Sequence, residues 1–174
     1  LMNNGSYTLE KRSVLPSSSA VNWASMFMGA GPELHGYTEW GSKTPELPSR
    51  ELSHYGIFPS IWGVFRDANP EAEIGFFCQW GGLEYLAEMK AMSKEMHVKA
   101  EDDPSGKADK AVATQSCIYI KEKKPAFVGI FFDEPDHTGH KSGHDTEAYY
   151  QKLEELDGYI AEIVNAVKEA GMWD

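Results

Sequence analysis

The run Pro125-Ala126-Phe127-Val128-Gly129-Ile130-Phe131-Phe132 leads directly into Asp133-Glu134-Pro135-Asp136-His137-Thr138-Gly139-His140. The first stretch is apolar throughout and flanked by charge, which is the pattern of a buried strand. Downstream, Thr146–Ala170 reads as a helix, because Tyr149, Leu153, Leu156, Ile160, Ile163, Val164 and Val167 recur at the three-four spacing of one buried face. Asp145 is the expected N-cap and Gly171 the expected stop. Upstream, Gly106–Lys123 has helical periodicity through Val112, Cys117 and Ile120. Met96–Ala100 reads as a strand, Leu83–Met92 as a helix and Glu73–Cys78 as a short buried strand. Ser60–Ala68 is a short helix closed by Asn69-Pro70, and Leu34–Pro48 an ordered loop rich in Gly, Pro, Thr and Ser. Ser19–Met28 is a helix stopped by Gly29, and Ser6–Leu15 leans to β before Pro16. Apolar strands alternating with amphipathic helices predict an α/β domain, a mostly parallel sheet flanked by helices. In such sheets ligands gather beyond the carboxyl ends of the strands.

The 174 residues suit a single domain, 1–174, with a hydrophobic core, and no internal repeat divides them. Leu1-Met2-Asn3-Asn4-Gly5 reads as the end of a helix, and Asp174 follows a helix that leads onward, so the expectation is a truncated piece of that domain. Apolar residues are 41% and charged residues 25%, ordinary for a globular protein. The net charge of −11 argues against a nucleic-acid-binding surface, which needs a basic stripe. It does not argue against a phosphoester site, where bound cations supply the positive charge. No apolar run is long enough to span a bilayer, and the polar Leu1–Lys11 does not read as a signal peptide. Cys78 and Cys117 have no metal or disulfide spacing and are expected to be buried fillers.

Three acids and two histidines fall within the eight residues Asp133–His140, at the expected ligand edge of the sheet. Carboxylate oxygen and imidazole nitrogen are the usual ligands of zinc in hydrolytic sites. Asp136 and His140 lie four residues apart, with Gly139 placed to turn the chain so that they converge and Gly143 serving the exit loop. The alternative is a solvated strand-to-helix loop whose acids cap the next helix. His137 and His144 read as surface or hydrogen-bonding histidines, and Asp133 as structural. A second feature is Ser17-Ser18-Ser19 ahead of Ala20-Val21-Asn22-Trp23. A hydroxyl at a helix N-terminus sits where backbone N–H groups favour an anion, as a nucleophile attacking phosphorus requires. An N-cap is the competing reading, and spacing alone does not choose among the three serines.

Together these motifs resemble the nucleotide pyrophosphatase/phosphodiesterase (type I phosphodiesterase) family of the alkaline phosphatase superfamily. Ser19-Ala20-Val21-Asn22 resembles the family's nucleophile followed by Phe-Pro-Asn. Met28-Gly29-Ala30-Gly31-Pro32-Glu33-Leu34-His35-Gly36 falls in register with its Thr-Gly-x-x-Pro-Glu-Ser-His-Gly. Pro59-Ser60-Ile61-Trp62 is similar to its Pro-Ile-Trp, and Glu134–Gly143 to its Glu-Pro-Asp-x-x-Gly-His-x-x-Gly. The resemblance selects Ser19 as the nucleophile and makes Asp136 and His140 ligands of one of two divalent metal ions, expected to be Zn2+. It implies in-line displacement at phosphorus through a phosphorylated or nucleotidylated serine, with small-molecule phosphoesters or nucleotides as substrates. It also implies a periplasmic or extracellular location. His35 falls on a family position and is expected to hold the loop after the first helix.

The sequence departs from the family in three places. The early strand ending in a metal-binding aspartate is not found, nor is the later Asp-His-Gly with its further histidine. With Asp136 and His140 alone, the fragment is expected to hold metal weakly and turn over little. The family's phosphate-binding asparagine falls at Trp40, beside Glu39, which leaves monoester or other phosphoester substrates open. Within the superfamily a sulfatase or phosphomutase is the alternative, the former disfavoured because no Cys/Ser-x-Pro-x-Arg segment is present. A non-catalytic binding domain is the alternative from another class. An open sheet edge could also drive pairing with a second chain.

Overall fold

The computed structural model describes residues 5–99 and 107–173. Its centre is strand β1 (Ile74–Cys78), buried at all five positions. β1 pairs in parallel with β2 (Lys94–His97) on one side and β3 (Phe127–Phe131) on the other, giving the order β2-β1-β3. Before it come helices α1 (Ser19–Met28), α2 (Pro32–His35) and α3 (Ile61–Ala68). α4 (Ala108–Lys123) crosses from β2 to β3, and α5 (Asp136–Ser142) and α6 (Glu147–Glu169) follow. The expected mostly parallel sheet flanked by helices is present.

Alternation along β1 divides the core. Ile74, Phe76 and Cys78 join the cluster built from α1, α3 and the following turns, including Ala24, Phe27 and Trp62. Phe77 points to the other face and packs with Val112 and Tyr119 of α4. α6 lies against α4 and the flank of β3, through Leu156, Tyr159, Ile163 and Ala166. Trp62 shows how tightly the first face is packed. Its ring stacks on Phe127 at 4.2 Å, and a Cβ on Gly129 would lie 2.4 Å from it. Glycine is required there because the indole lies directly on the strand. Removing such a side chain costs about 3–5 kcal/mol.

Some expectations are corrected. Ser6–Leu15 forms no strand; it is irregular and mostly exposed, and among the described residues it pairs with no strand. Leu83–Met92 is not one helix but two short 3-10 turns, Gly81–Tyr85 and Met89–Ala91, because its apolar residues must fill gaps under the sheet and not a single helical face. β2 begins at Lys94, earlier than Met96, while Ala100, Gly106 and Leu1–Asn4 lie outside the described residues. β3 is only partly buried except at Gly129, since among the described residues it is an edge strand. On α6 the buried line runs through Leu156, Tyr159 and Ala166, leaving Leu153 and Ile160 exposed. Thr146, not Asp145, caps α6, because its hydroxyl accepts from Tyr149 N–H while donating to the Gly143 carbonyl at 3.0 Å. Asp145 instead accepts from the Tyr150 hydroxyl at 2.7 Å. Cys78 is buried as expected, which pushes its thiol up to about 12, whereas Cys117 is half-buried.

Two carboxylates tie helices together. Buried Glu88 accepts from Ser60 N–H, the Ser60 hydroxyl and Gly63 N–H at the start of α3. Gly63 is needed there, as its Cβ would lie 2.4 Å from Glu88 Oε1. Glu155 on α6 receives Lys152, the Tyr159 hydroxyl at 2.7 Å and Lys107 at 2.9 Å, and these bonds hold its carboxyl down to about 2. Glu88→Gln should lower the unfolding free energy of the full-length protein by about 1–3 kcal/mol in urea titrations, since one acceptor oxygen is lost from a buried cap. Because Glu155 is depressed in the folded state, its contribution is present above its ordinary value of 4.5 and lost as pH falls toward 2. Glu155→Gln should therefore cost no more than about 1 kcal/mol at neutral pH and flatten the acid limb of the stability profile, read as urea midpoints against pH.

Candidate functional site

α1 forms where expected because Ala20, Val21, Ala24, Phe27 and Met28 make one apolar face, and Gly29 ends it in a left-handed conformation at φ 60°. Ser18, in extended conformation, is its N-cap. The Asn22 amide anchors the segment before the helix by accepting from Val14 N–H at 2.9 Å and donating to the Ser18 carbonyl at 3.0 Å. The Ala20 N–H donates to the Trp40 carbonyl at 3.1 Å, joining the helix start to the following loop. The three serines, equivalent in sequence, are now distinct. Ser17 is exposed and accepts from Ser13. Ser18 Oγ is buried, without a partner among the described residues. Ser19 lines a cavity.

At the other end of that cavity the chain does not turn at Gly139 as expected. It forms α5, and Asp136 and His140 converge because residues four apart share a helix face, with Oδ2 and Nε2 3.4 Å apart. Gly139 is buried under His144, whose Nε2 would lie 2.6 Å from an added Cβ. Gly143, at φ 86°, ends the helix. The Glu134 carboxylate accepts from Thr138 N–H at 2.9 Å, filling a vacant acceptor in the first turn. Burial raises the Asp133 carboxyl; the Asp136 charge raises it further, while His137 opposes this.

The cavity, about 410 Å³, is lined by Ser19, Trp23, Trp40, Trp80, Leu83, Phe132, Asp133, Asp136, His137 and His140. Trp80 follows β1 and Phe132–Asp133 follow β3, so it opens at the carboxyl edge of the sheet. Ser19, Asp136 and His140, from opposite ends of the chain, thus meet at one cavity. Asp136 and His140 offer one oxygen and one nitrogen, both with exposed side chains, a donor pair that suits zinc. Among the described residues no group of three such donors is assembled.

The chain matches the type I phosphodiesterase / nucleotide pyrophosphatase family over residues 1–174. It belongs to that family. Rat ectonucleotide pyrophosphatase/phosphodiesterase family member 1 is 22% identical over 178 residues, covering 99% of this chain and 19% of the relative. Bovine bis(5'-adenosyl)-triphosphatase is 41% identical over 49 residues, 28% of this chain and 11% of its own. Murine ectonucleotide pyrophosphatase/phosphodiesterase 5, solved as an inactive threonine-to-alanine variant with AMP, superposes with a TM-score of 0.64 at 17% identity, over 93% of this chain and 44% of that one. The human counterpart gives 0.65 at 14%. The chain thus spans less than half of these solved relatives and about a fifth of the rat one.

In this chain His35 is fully buried and does not reach the cavity. Its Nδ1 accepts from Tyr37 N–H at 3.1 Å, leaving Nε2–H to donate to Ser25 Oγ at 2.9 Å, and its carbonyl accepts from Ser49 at 2.8 Å. Burial lowers its pKa against the opposing charge of Glu33, and its hydrogen bonds hold the loop after α1, as expected. Trp40 is 66% exposed and faces Trp80 at 6.2 Å across the cavity rim. The walls Trp23, Trp80, Leu83 and Phe132 carried no site motif in the sequence, Phe132 reading only as part of a buried strand. Asp109, which accepts from Asp133 N–H at 3.0 Å and Glu134 N–H at 2.9 Å, carried no motif at all; an acid in the first turn of α4 was its only signal. Asn22→Ala should release the approach to α1, so limited proteolysis should cut within Ser13–Ser18 several-fold faster than in wild type, with the far-UV spectrum unchanged.

Proposed function

We propose that the full-length protein is a metal-dependent phosphodiesterase or nucleotide pyrophosphatase that works through a covalent Ser19 intermediate. The supporting observation is the meeting of Ser19 with Asp136 and His140 at one cavity on the carboxyl edge of the sheet. Ser19 Oγ attacks phosphorus, forming an O–P bond as the leaving oxygen departs opposite it; water then attacks the same phosphorus and frees the serine. The N-terminus of α1 favours the negative charge that gathers on the phosphoryl oxygens. Asp136 and His140 hold one of two divalent ions, Zn2+ by ligand type. When bound, such ions lower the pKa of the attacking oxygen and neutralise phosphate charge. That charge is needed, because Asp133 and Asp136 line the cavity and would repel a bare phosphate. The indoles of Trp23, Trp40 and Trp80 with Leu83 and Phe132 form an apolar wall facing the acidic one.

The solved complex of a relative with AMP and the adenosine-polyphosphate relative support a nucleotide or other small phosphoester as substrate. That relative's description as inactive after losing one threonine is in keeping with a hydroxyl nucleophile. Names of the relatives as ectoenzymes favour an extracellular location; among the described residues no helix is long and apolar enough to cross a membrane. Residues 1–174 alone, as one part of the catalytic domain, should turn over substrate weakly or not at all, since zinc sites take at least three protein ligands. A phosphomonoesterase is the second reading, kept open by Trp40, which stands where the resemblance places an asparagine that helps hold a phosphoryl oxygen.

The full-length protein, assayed with zinc on a nitrophenyl phosphodiester and the matching monoester, should cleave the diester. Ser19→Ala should reduce turnover by at least about a thousand-fold, and Asp136→Ala should lose activity along with one equivalent of zinc. Preferential monoester cleavage would select the second reading. Failure to cleave either ester with zinc bound would overturn both.

A further inference from the structure

Beside the candidate metal motif lies a smaller cavity of about 170 Å³, lined by Asp109, Asp133, Glu134, Lys152 and Glu155 among others and not by Ser19. Asp109 sits in the first turn of α4 and is 7% exposed. Its two carboxylate oxygens accept from consecutive backbone N–H groups, Asp133 at 3.0 Å and Glu134 at 2.9 Å. Those groups belong to the turn where β3 has ended and α5 has not begun, so no strand or helix supplies their acceptors. The chain of contacts continues. The Glu134 side chain, whose backbone Asp109 holds, accepts from Thr138 N–H inside α5. Asp136 and His140 flank Thr138 on that same helix.

We infer that Asp109 is a positioning residue for the metal-binding helix, acting through Glu134 to set the direction in which Asp136 and His140 point. The inference rests on the metal reading above. This helix of seven residues has two exposed ligands and one buried residue, Gly139, and apart from its packing on α6 its start is what orients it. Its N-terminal bonds therefore fix its angle to the cavity, and a small rotation there moves both donors together. Asp109 touches neither donor, and its effect is expected on the geometry and affinity of the bound ion, with the overall fold retained.

The test compares full-length wild type with Asp109→Asn, Glu134→Ala and, as a control, Glu88→Gln. The control alters a carboxylate that is also buried and caps a helix, but does not approach the cavity. Zinc affinity is read by competition with a chromophoric chelator, and ligand geometry by the visible spectrum of the cobalt(II)-substituted protein. Asp109→Asn keeps the shape but turns one acceptor into a donor facing an N–H group. It should weaken zinc binding about 10–100-fold and shift the cobalt bands, and Glu134→Ala should do the same by breaking the second link. Glu88→Gln should lower thermal stability and leave both readings at wild-type values. If Asp109→Asn fails to fold, Glu134→Ala decides the question. Wild-type affinity and spectrum in the folded variants, or equal losses in the Glu88→Gln control, would overturn the inference while the metal site stood. A wild type that binds no zinc would overturn the metal reading and this inference together.

Discussion

The edge of the Trp62 indole set against Gly129 is the contact on which the rest of the structure depends. It stacks on Phe127, meets Phe76 edge-on at 5.4 Å and reaches Phe27 of α1 at 6.2 Å. One residue of α3 therefore joins two parallel strands and the helix that carries Ser19. Phe27 and Trp23 continue the contact to Phe131 at 5.2 and 5.5 Å, and this presses α1 onto the sheet with its N-terminus at the carboxyl edge. Large rings in edge-to-face contact gain beyond their buried area, and they tolerate little sliding. The position of Ser19 thus follows from packing several residues away from it.

The second constraint is electrostatic. An acidic chain of net charge −11 uses buried or half-buried carboxylates as acceptors for backbone N–H groups. Glu88 caps α3, Asp109 holds the turn after β3, and Glu134 caps α5. In each case a charged acceptor meets a helix start or a turn that lacks one, where a carboxylate bonds more strongly than a neutral group. The same excess of acid lines the cavity with Asp133 and Asp136. A phosphate approaches such a surface only with cations present, so the chain's charge and its motif point to the same chemistry.

Identity to the solved relatives is 14–17% while the TM-score stays at 0.64–0.65. The fold is thus shared at low identity, and in this chain three close approaches depend on glycine. Gly129 admits the Trp62 indole, Gly63 admits Glu88, and Gly139 admits His144. None of the three has a positive φ; each is glycine because another side chain occupies the space of its Cβ.

Much of the fold was legible because it is local. The apolar runs Ile74–Cys78 and Phe127–Phe131, the periodicities of α1, α3, α4 and α6, and the stops at Gly29 and Gly171 are signals carried by neighbouring residues. The motif from Glu134 to Gly143 and the serine run were legible for the same reason. What the sequence left open depended on residues distant in the chain. Ser17, Ser18 and Ser19 have the same local chemistry, and only the packing of α1 places one of them at a cavity. Leu83–Met92 has helical apolar spacing, yet the space under the sheet breaks it into two turns. Asp109 carries no motif, because the N–H groups it serves lie 24 and 25 residues away. Sequence determined the elements and the chemical groups available, since periodicity and capping act over a turn or two. Tertiary structure decided which of those groups share a cavity and which hold them there, since hydrogen-bond partners and packing faces are set by distance in space.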